Sequence, residues 1–212
     1  MLKEIRIHGR GGQGVVTLGE LFAIASHIDG EEVQAFPSFG VERRGAPIES
    51  FVRISDKKIY RRDQVKNPDY LVILDDTLLD TNSVYIGLDK GDVVILNSQK
   101  DEGELKKYFK IYPDIKVKHL DATGLALEIL GKPFPNTALL GAFASATNLM
   151  RIDALRKAIE EKFSYKGSVI VKKNIEIAEK AYKHIDPRTK FLVQAGSHEI
   201  MPFNKERMRV SG

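Results

Sequence analysis

The stretch Glu4-Ile5-Arg6-Ile7-His8-Gly9-Arg10-Gly11-Gly12-Gln13-Gly14-Val15-Val16-Thr17 decides the fold. Its first five residues predict a short strand. Val15 to Ile28 then carries Leu18, Leu21, Phe22 and Ala25 at helical spacing. Between strand and helix, Gly9, Gly11 and Gly14 stand in the spacing Gly-x-Gly-x-x-Gly. Glycine permits a tight turn and lets backbone N–H groups approach a phosphate, which the helix N-terminus then favours. The same turn also suits simple packing of the first helix on a sheet. Its strand–loop–helix context is what makes it informative.

Outward from this stretch, Val33 to Phe36 predicts a second strand. Pro37 to Ala46 is a polar, glycine-containing loop. Pro47 to Ile54 alternates through Ile48, Ser50, Val52 and Ile54, the pattern of a half-buried strand. Tyr70 to Leu74 and Val93 to Leu96 are continuous apolar runs, as in central parallel strands covered on both faces. Ile115 to Leu120 adds one more strand. Helices follow: Asp121 caps one that stops near Gly131, Asn136 and Thr137 start another through Leu149, Asp153 caps a third over Ala154 to Phe163, and Gly167 to His184 forms a fourth. The expected fold is α/β: a Rossmann-like open, mostly parallel sheet flanked by helices, with the C-terminal helices covering the sheet. No repeat or linker divides the chain, so residues 1–212 read as a single domain. Residues 186–212 read as a C-terminal arm or tail, with Phe191-Leu192-Val193 a short strand or part of the arm.

Composition removes several function classes. The 212 residues include no cysteine, which excludes disulfides, cysteine-ligated zinc or iron–sulfur clusters on this chain, and a thiolate nucleophile. Lys and Arg number 33 against 29 Asp and Glu, a mild excess with no basic block of the kind that binds nucleic acid. No apolar run approaches the roughly 18 residues of a membrane span. Met1 to Arg6 lacks a signal-peptide apolar region, so a cytoplasmic location is expected. The five histidines show no metal-ligand spacing, and no nucleophile elbow is present.

The glycine loop fits neither common nucleotide chemistry. A dinucleotide site needs an acid about 20 residues on, at the end of the second strand. That region reads Phe36-Pro37-Ser38. Gly9 and Gly14 have the spacing of a nucleotide-hydrolysing loop, but Val15 stands where the lysine must be. The loop therefore suits a phosphate-bearing ligand of another kind. The second dense segment is Phe36-Pro37-Ser38-Phe39-Gly40-Val41-Glu42-Arg43-Arg44-Gly45-Ala46-Pro47. Adjacent arginines bind phosphates and carboxylates through forked hydrogen bonds. Pairing of Glu42 with one of them, to order the loop, is an equal alternative.

Taken together, Gly9 to Thr17 and Phe36 to Pro47 resemble the gamma subunit of 2-oxoacid:ferredoxin oxidoreductases, of the pyruvate (pyruvate synthase) type. The resemblance continues through Phe51 to Ser55, Pro68 to Asp75, Val93 to Ser98, Asn136 to Ala144 and Lys172 to Tyr182. It implies a Rossmann-like domain that packs on thiamine-binding subunits and is not active alone. The implied complex decarboxylates pyruvate with coenzyme A to acetyl-CoA and carbon dioxide and passes electrons to ferredoxin. Its alpha, beta and delta subunits would hold thiamine diphosphate, magnesium and the iron–sulfur clusters, and this chain none of them. In fused single-chain enzymes the equivalent domain is associated with coenzyme A binding. A branched-chain (2-ketoisovalerate) enzyme is an alternative, as is a stand-alone nucleotide-binding module.

The candidate binding residues are Gly9, Gly11, Gly12, Gln13 and Gly14, facing a phosphate or a partner, and Arg43 and Arg44, supplying charge to coenzyme A. No catalytic or metal-binding residue is assigned. Asp75-Asp76 and Asn97-Ser98 end strands at the ligand edge, where helix capping is the competing role. His8 reads as a buried histidine. Ala142 to Ala146 is small and apolar, suited to close helix packing or an interface. Changing Arg43 and Arg44 singly to Ala should raise the coenzyme A KM of the assembled complex. An unchanged KM in both variants would remove them from the site.

Overall fold

The computed structural model describes residues 1–38, 45–110 and 114–185. Six strands form one sheet: β1 (Lys3–Arg10), β2 (Glu32–Pro37), β3 (Pro47–Ser55), β4 (Tyr70–Ile73), β5 (Val93–Asn97) and β6 (Lys116–Leu120). Their spatial order is β2-β3-β1-β4-β5-β6. The chain β1, β4, β5, β6 is parallel, whereas β3 runs antiparallel to both β1 and β2. The helices are α1 (Val15–Ile28), α2 (Glu102–Phe109), α3 (Ala122–Leu130), α4 (Asn136–Thr147), α5 (Ile152–Phe163) and α6 (Ser168–His184). No helix among the described residues is long and apolar enough to cross a membrane.

Local chemistry sets most of these boundaries. Asp121 caps α3 by accepting a hydrogen bond from the Gly124 N–H at 2.7 Å, and Gly131 ends it in the left-handed conformation, φ 72°. Helix α2 was not expected from the sequence. It opens on a capping box, in which the Asp101 carboxylate accepts from the Glu104 N–H and the Glu104 carboxylate accepts from the Asp101 N–H. The cap of α5 differs from expectation. Arg151 occupies that position, and its N–H and guanidinium both donate to Asp29, just beyond α1, at 2.8 and 2.6 Å. Asp153 lies instead in the first turn, paired with Arg156. The expected tail, with Phe191 to Val193, lies outside the described residues.

One face of the sheet carries Ile5, Ile7, Val52, Val72 and Ile95 against α1 and α4. The C-terminal helices cover this face in two layers. Helix α5 packs on α1, and α6 packs on α4. Helix α4 is thereby enclosed by sheet below and helices above, and every residue from Asn136 to Ser145 is buried, most of them small or apolar. Its small residues permit close approach: a Cβ on Gly141 would lie 2.0 Å from the Ala178 carbonyl oxygen of α6. On the opposite face Leu71, Ile73, Val94 and Leu96 pack against α2 and the short turns Asp76–Asp80 and Asn82–Tyr85.

Strand β3 departs from the half-buried pattern its alternation predicts. Val52 and Ile54 face the helices, yet Phe51 and Arg53 on the other side are equally buried. Arg53 is fully buried, with its Nε donating to Glu4 at 2.8 Å and Nη1 to Gln34 at 3.1 Å. Arg6, beside it, donates to the carbonyls of Lys66, Val84 and Ile86. Arg6 thereby ties segments after β3 and after β4 onto the sheet, and Arg53 Nη2 lies 3.5 Å from Asp63 of the first, so the polar face of β3 is covered by chain rather than water. His8 shares this face. It is buried, with Nδ1 3.4 Å from a Glu49 carboxylate oxygen and Nε2 without a hydrogen-bond partner. Burial, reinforced by the Arg6 charge, pushes its pKa down to about 3.

Two consequences are measurable. Gly141→Ala should lower stability by about 2 kcal/mol or more, because overpacking against backbone outweighs the gain in helix propensity. Thermal unfolding should show a midpoint several degrees lower, and an unchanged midpoint would mean that α4 and α6 are free to separate. His8 stays neutral in the fold but takes up a proton when unfolded below its ordinary value of 6.5. Its contribution to stability is therefore full above pH 6.5 and declines as pH falls toward 3, by about 2 kcal/mol between pH 7 and 5. Burial raises the Glu49 carboxyl, an effect of opposite sign, so wild type must be compared with His8→Asn. The variant should lose most of the decline between those two pH values.

Candidate functional site

The glycine loop leaves the carboxyl end of β1 beside β4, at the point where the chain's connections turn from one side of the sheet to the other. Ligands of open α/β sheets collect in such crevices. Close packing explains Gly9, where a Cβ would meet the Val15 side chain at 2.4 Å. Gly14 precedes α1 with φ 88°, and a Cβ there would meet the Asn136 amide nitrogen at 2.7 Å. Gly12 also has positive φ, 97°, but its missing side chain would point into open space. Nothing but the backbone conformation explains glycine there, and the vacant side is where a ligand could come close.

Gln13 behaves differently from its glycine neighbours. Its Oε1 accepts from the Arg10 N–H at 2.8 Å, and its Nε2 donates to Asp75 at 2.7 Å. The amide side chain is thus engaged within the protein, and the backbone N–H of this residue donates to the Arg10 carbonyl at 3.1 Å, so Gln13 stiffens the loop and does not line the groove on its helix side. Arg10 donates to Thr77 Oγ1 and to the Gly45 carbonyl, and its Nε lies 3.3 Å from Asp75. Asp75 caps the turn that follows β4, accepting from the N–H and hydroxyl of Thr77. Burial works to raise the Asp75 carboxyl, but hydrogen bonds from Thr77 and Gln13 and the Arg10 charge outweigh it, leaving it below the usual range. The capping role foreseen for Asp75 is therefore present, with a further role across the crevice.

On the helix side of the loop lies a groove of about 830 Å³. Its walls are Gly11, Gly12, Gly14 to Thr17, the connection from α3 to α4, and the junction of α5 with α6. Helix α1 starts there at Val15, and its cap residue Gly14 offers no side-chain acceptor, so the amides of its first turn, which lines the groove, have no side-chain cap. Asn136 is buried at 5% exposure and its Oδ1 accepts from the Thr137 N–H, while among the described residues its Nδ2 donates to no protein acceptor. Lys132 and Lys166 supply the positive charge, with no carboxylate partner for either among the described residues. Lys166 Nζ sits 5.1 Å from the centre of the Phe163 ring. Phe134 and Ile170 contribute apolar surface. An uncapped helix start, a free amide donor and two cations around a partly apolar cavity can hold an amphipathic molecule by its phosphates.

Of the residues singled out from the sequence, Gly11, Gly12 and Gly14 line the groove, whereas Gly9 lies at the end of β1 and Gln13 turns its side chain to Asp75. Sequence reasoning missed Lys132, Lys166 and the inward amide of Asn136. Both lysines neighbour a glycine at a helix boundary, and only the fold brings them to the groove. Arg43 and Arg44 lie outside the described residues. Their loop leaves from Ser38 and returns at Gly45, both of which are fixed at this sheet edge by hydrogen bonds with Glu49 and Gly11. A smaller cleft of about 280 Å³ lies beyond Asp75. Its polar groups are engaged with one another: Asn97 donates to the Leu74 carbonyl and Thr123, and both Ser98 and Lys100 donate to Asp76 at 2.6 Å.

Fold and loop together define a Rossmann-like α/β domain with a glycine loop at the carboxyl edge of its sheet. Comparison with known proteins narrows this class. Residues 4–184 match the family model described as pyruvate ferredoxin/flavodoxin oxidoreductase, and the chain belongs to that family. It is 51% identical over 184 residues to "Pyruvate synthase subunit PorC" of Methanothermobacter thermautotrophicus, covering 86% of this chain and 96% of that protein. It is 49% identical to the "Pyruvate/ketoisovalerate oxidoreductases common subunit gamma" of Thermococcus kodakarensis, covering 84% and 95%. The crystal structure of the pyruvate oxidoreductase subunit PORC from Thermotoga maritima superimposes with a TM-score of 0.75 at 34% identity, covering 86% of this chain and 96% of that one. The fold also recurs in 34% of a longer chain of the 2-oxoglutarate:ferredoxin oxidoreductase from Magnetococcus marinus, with a TM-score of 0.73 at 21% identity over 94% of this chain.

Proposed function

We propose that this chain is the gamma subunit of a pyruvate:ferredoxin oxidoreductase. The complex converts pyruvate and coenzyme A to acetyl-CoA and carbon dioxide and passes the electrons to ferredoxin. The observation that carries the reading is the 51% identity spanning 96% of a pyruvate synthase subunit. A second reading is favoured by the relatives named as a common subunit for pyruvate and ketoisovalerate oxidoreductases, at 49% and 46% identity. In that case one gamma chain serves two complexes of different 2-oxoacid preference.

Within the complex, the chain binds coenzyme A and supports assembly. Coenzyme A carries a pyrophosphate and a ribose 3′-phosphate. Backbone N–H groups at the start of α1, the Asn136 amide, Lys132 and Lys166 suit these groups in charge and number of donors. Arg43 and Arg44 add cations from the neighbouring loop. Decarboxylation itself belongs to thiamine diphosphate and magnesium in partner subunits. Alpha, beta and delta subunits are the partners, the iron–sulfur clusters lie among them, and the complex works in the cytoplasm. Without cysteine, this chain has no thiolate with which to hold a cluster.

The test is purification of the native complex, identification of the co-eluting subunits, and assay of pyruvate- and coenzyme A-dependent viologen reduction. Recovery of this chain alone, free of thiamine and iron, would overturn the reading. In the active complex, Lys132→Ala and Lys166→Ala should each raise the coenzyme A KM about three- to tenfold, the range of a lost charge-assisted hydrogen bond at a partly exposed site. The pyruvate KM should not move.

A further inference from the structure

The glycine loop has little stiffness of its own. Gly12 and Gly14 both sit at positive φ, and Gly12 touches nothing on its vacant side. What holds it is a closed ring of hydrogen bonds that includes two other segments. Gly11 exchanges backbone bonds with the returning loop, its N–H donating to the Ala46 carbonyl at 2.9 Å and its carbonyl accepting from the Gly45 N–H at 3.1 Å. Arg10 reaches the Gly45 carbonyl with Nη1 at 3.2 Å and Thr77 Oγ1 with Nη2 at 2.7 Å. Thr77 donates to Asp75 Oδ1, and Asp75 Oδ2 accepts from Gln13 Nε2, which returns to the loop. Gln13 Oε1 then closes the ring on the Arg10 N–H.

Asp75 is the point at which this ring is anchored to the sheet. It stands just past the end of β4, and the Leu74 N–H beside it donates to the His8 carbonyl at 2.8 Å, so its backbone is held by strand pairing. Its two oxygens have separate tasks. Oδ1 caps the turn at Thr77, and Oδ2 holds the glycine loop through Gln13. We infer that Asp75 is a positioning residue: through Gln13 and Arg10 it sets the glycine loop, and with it the Gly45–Ala46 return of the arginine-bearing loop, in the geometry that receives coenzyme A. Asp75 lies across the crevice from the groove and acts only through these two side chains. The inference rests on the coenzyme A reading given above.

The two tasks can be separated chemically. In Asp75→Asn, Oδ1 still accepts from Thr77, but an NH2 group takes the place of Oδ2. That group can neither accept from Gln13 Nε2 nor pair with Arg10 Nε, 3.3 Å away, so both links to the loop break while the cap persists. A second change, Gln13→Glu, restores the first link in reverse: one glutamate oxygen accepts from the new side-chain amide at position 75 and the other from the Arg10 N–H. In the assembled complex, Asp75→Asn should raise the coenzyme A KM about three- to tenfold, the span of one ordinary hydrogen bond. The kcat at saturating coenzyme A, the pyruvate KM and the thermal midpoint should stay near wild type. The double variant Asp75→Asn with Gln13→Glu should return the coenzyme A KM to within about twofold of wild type, a rescue that a merely structural defect would not show. An unchanged KM in Asp75→Asn, or a double variant no better than the single one, overturns the inference. Lys132→Ala, measured alongside, separates the two levels. A raised KM there with none in Asp75→Asn rejects the positioning role and leaves the site, whereas no change in either rejects both.

Discussion

The backbone ladder between β1 and β3 is the constraint on which the rest of the structure depends. It pairs Lys3 with Ile54 and runs without interruption to Arg10 opposite Pro47. It then continues beyond both strands, through Gly11 and the Gly45–Ala46 return. A single antiparallel register therefore fixes the glycine loop against the start of β3, and with it one end of the arginine-bearing loop. In an antiparallel pair, a slip of one residue would turn every side chain to the wrong face. Here it would move Val52 and Ile54 out of the helix-covered core and Arg53 into it. The apolar set thus specifies the register, and the register specifies which loop residues meet at the sheet edge.

The opposite face of that ladder shows how the fold tolerates buried charge. An uncompensated guanidinium costs several kcal/mol to desolvate. Arg53 avoids this with Glu4 at 2.8 Å and Gln34 at 3.1 Å, and Arg6 by donating to three backbone carbonyls. The carbonyls belong to segments with little regular structure, so Arg6 satisfies backbone groups that would otherwise be orphaned there. A charged residue on a strand is used as a clasp for chain that cannot clasp itself. His8, on the same face, stays neutral because burial and the Arg6 charge together leave no room for a second positive charge. The polar face is consequently held up to the base of the glycine loop.

Much of this was legible in the residues. Strand β1, the glycine turn and α1 follow from alternation, glycine spacing and helical periodicity, all of them local signals. Asp121 and Gly131 likewise mark α3 at both ends. The order β2-β3-β1 was not legible, because pairing partners are long-range choices and β3 reads as well for one neighbour as for another. Burial of Arg53 was hidden for the same reason: alternation records two chemically different faces, and cannot say that chain rather than water covers the polar one. The groove was half legible. Its glycines form a motif, but Lys132 and Lys166 are ordinary surface-type residues until α3, α5 and α6 bring them together. Asn136 read as a helix start, and its free Nδ2 emerges only when Gly14 is set beside it.

Topology also bears on which ligand the loop can discriminate. In a dinucleotide-binding sheet, the strand after the first helix lies beside the first strand, and an acid at its end grips the ribose. Here β3 stands between them. At the usual spacing of about 4.8 Å between strands, the end of β2 is roughly 10 Å from β1. An acid placed at Ser38 would therefore stand one strand further away than that geometry requires. Carboxylates next to β1 include Glu49, opposite His8 on the face away from α1, and Asp75 past the end of β4, which is engaged by Gln13, Thr77 and Arg10. The position after β2 that holds the hydroxyl-binding acid in such sheets thus carries no acid in the sequence and lies one strand too far in the topology. What the loop retains of the motif is the open turn at Gly12 and the helix start without a side-chain cap. The cations around this edge, Lys132 and Lys166, stand on the groove side of the loop, away from the position after β2, so charge and topology separate the two sides of the sheet edge.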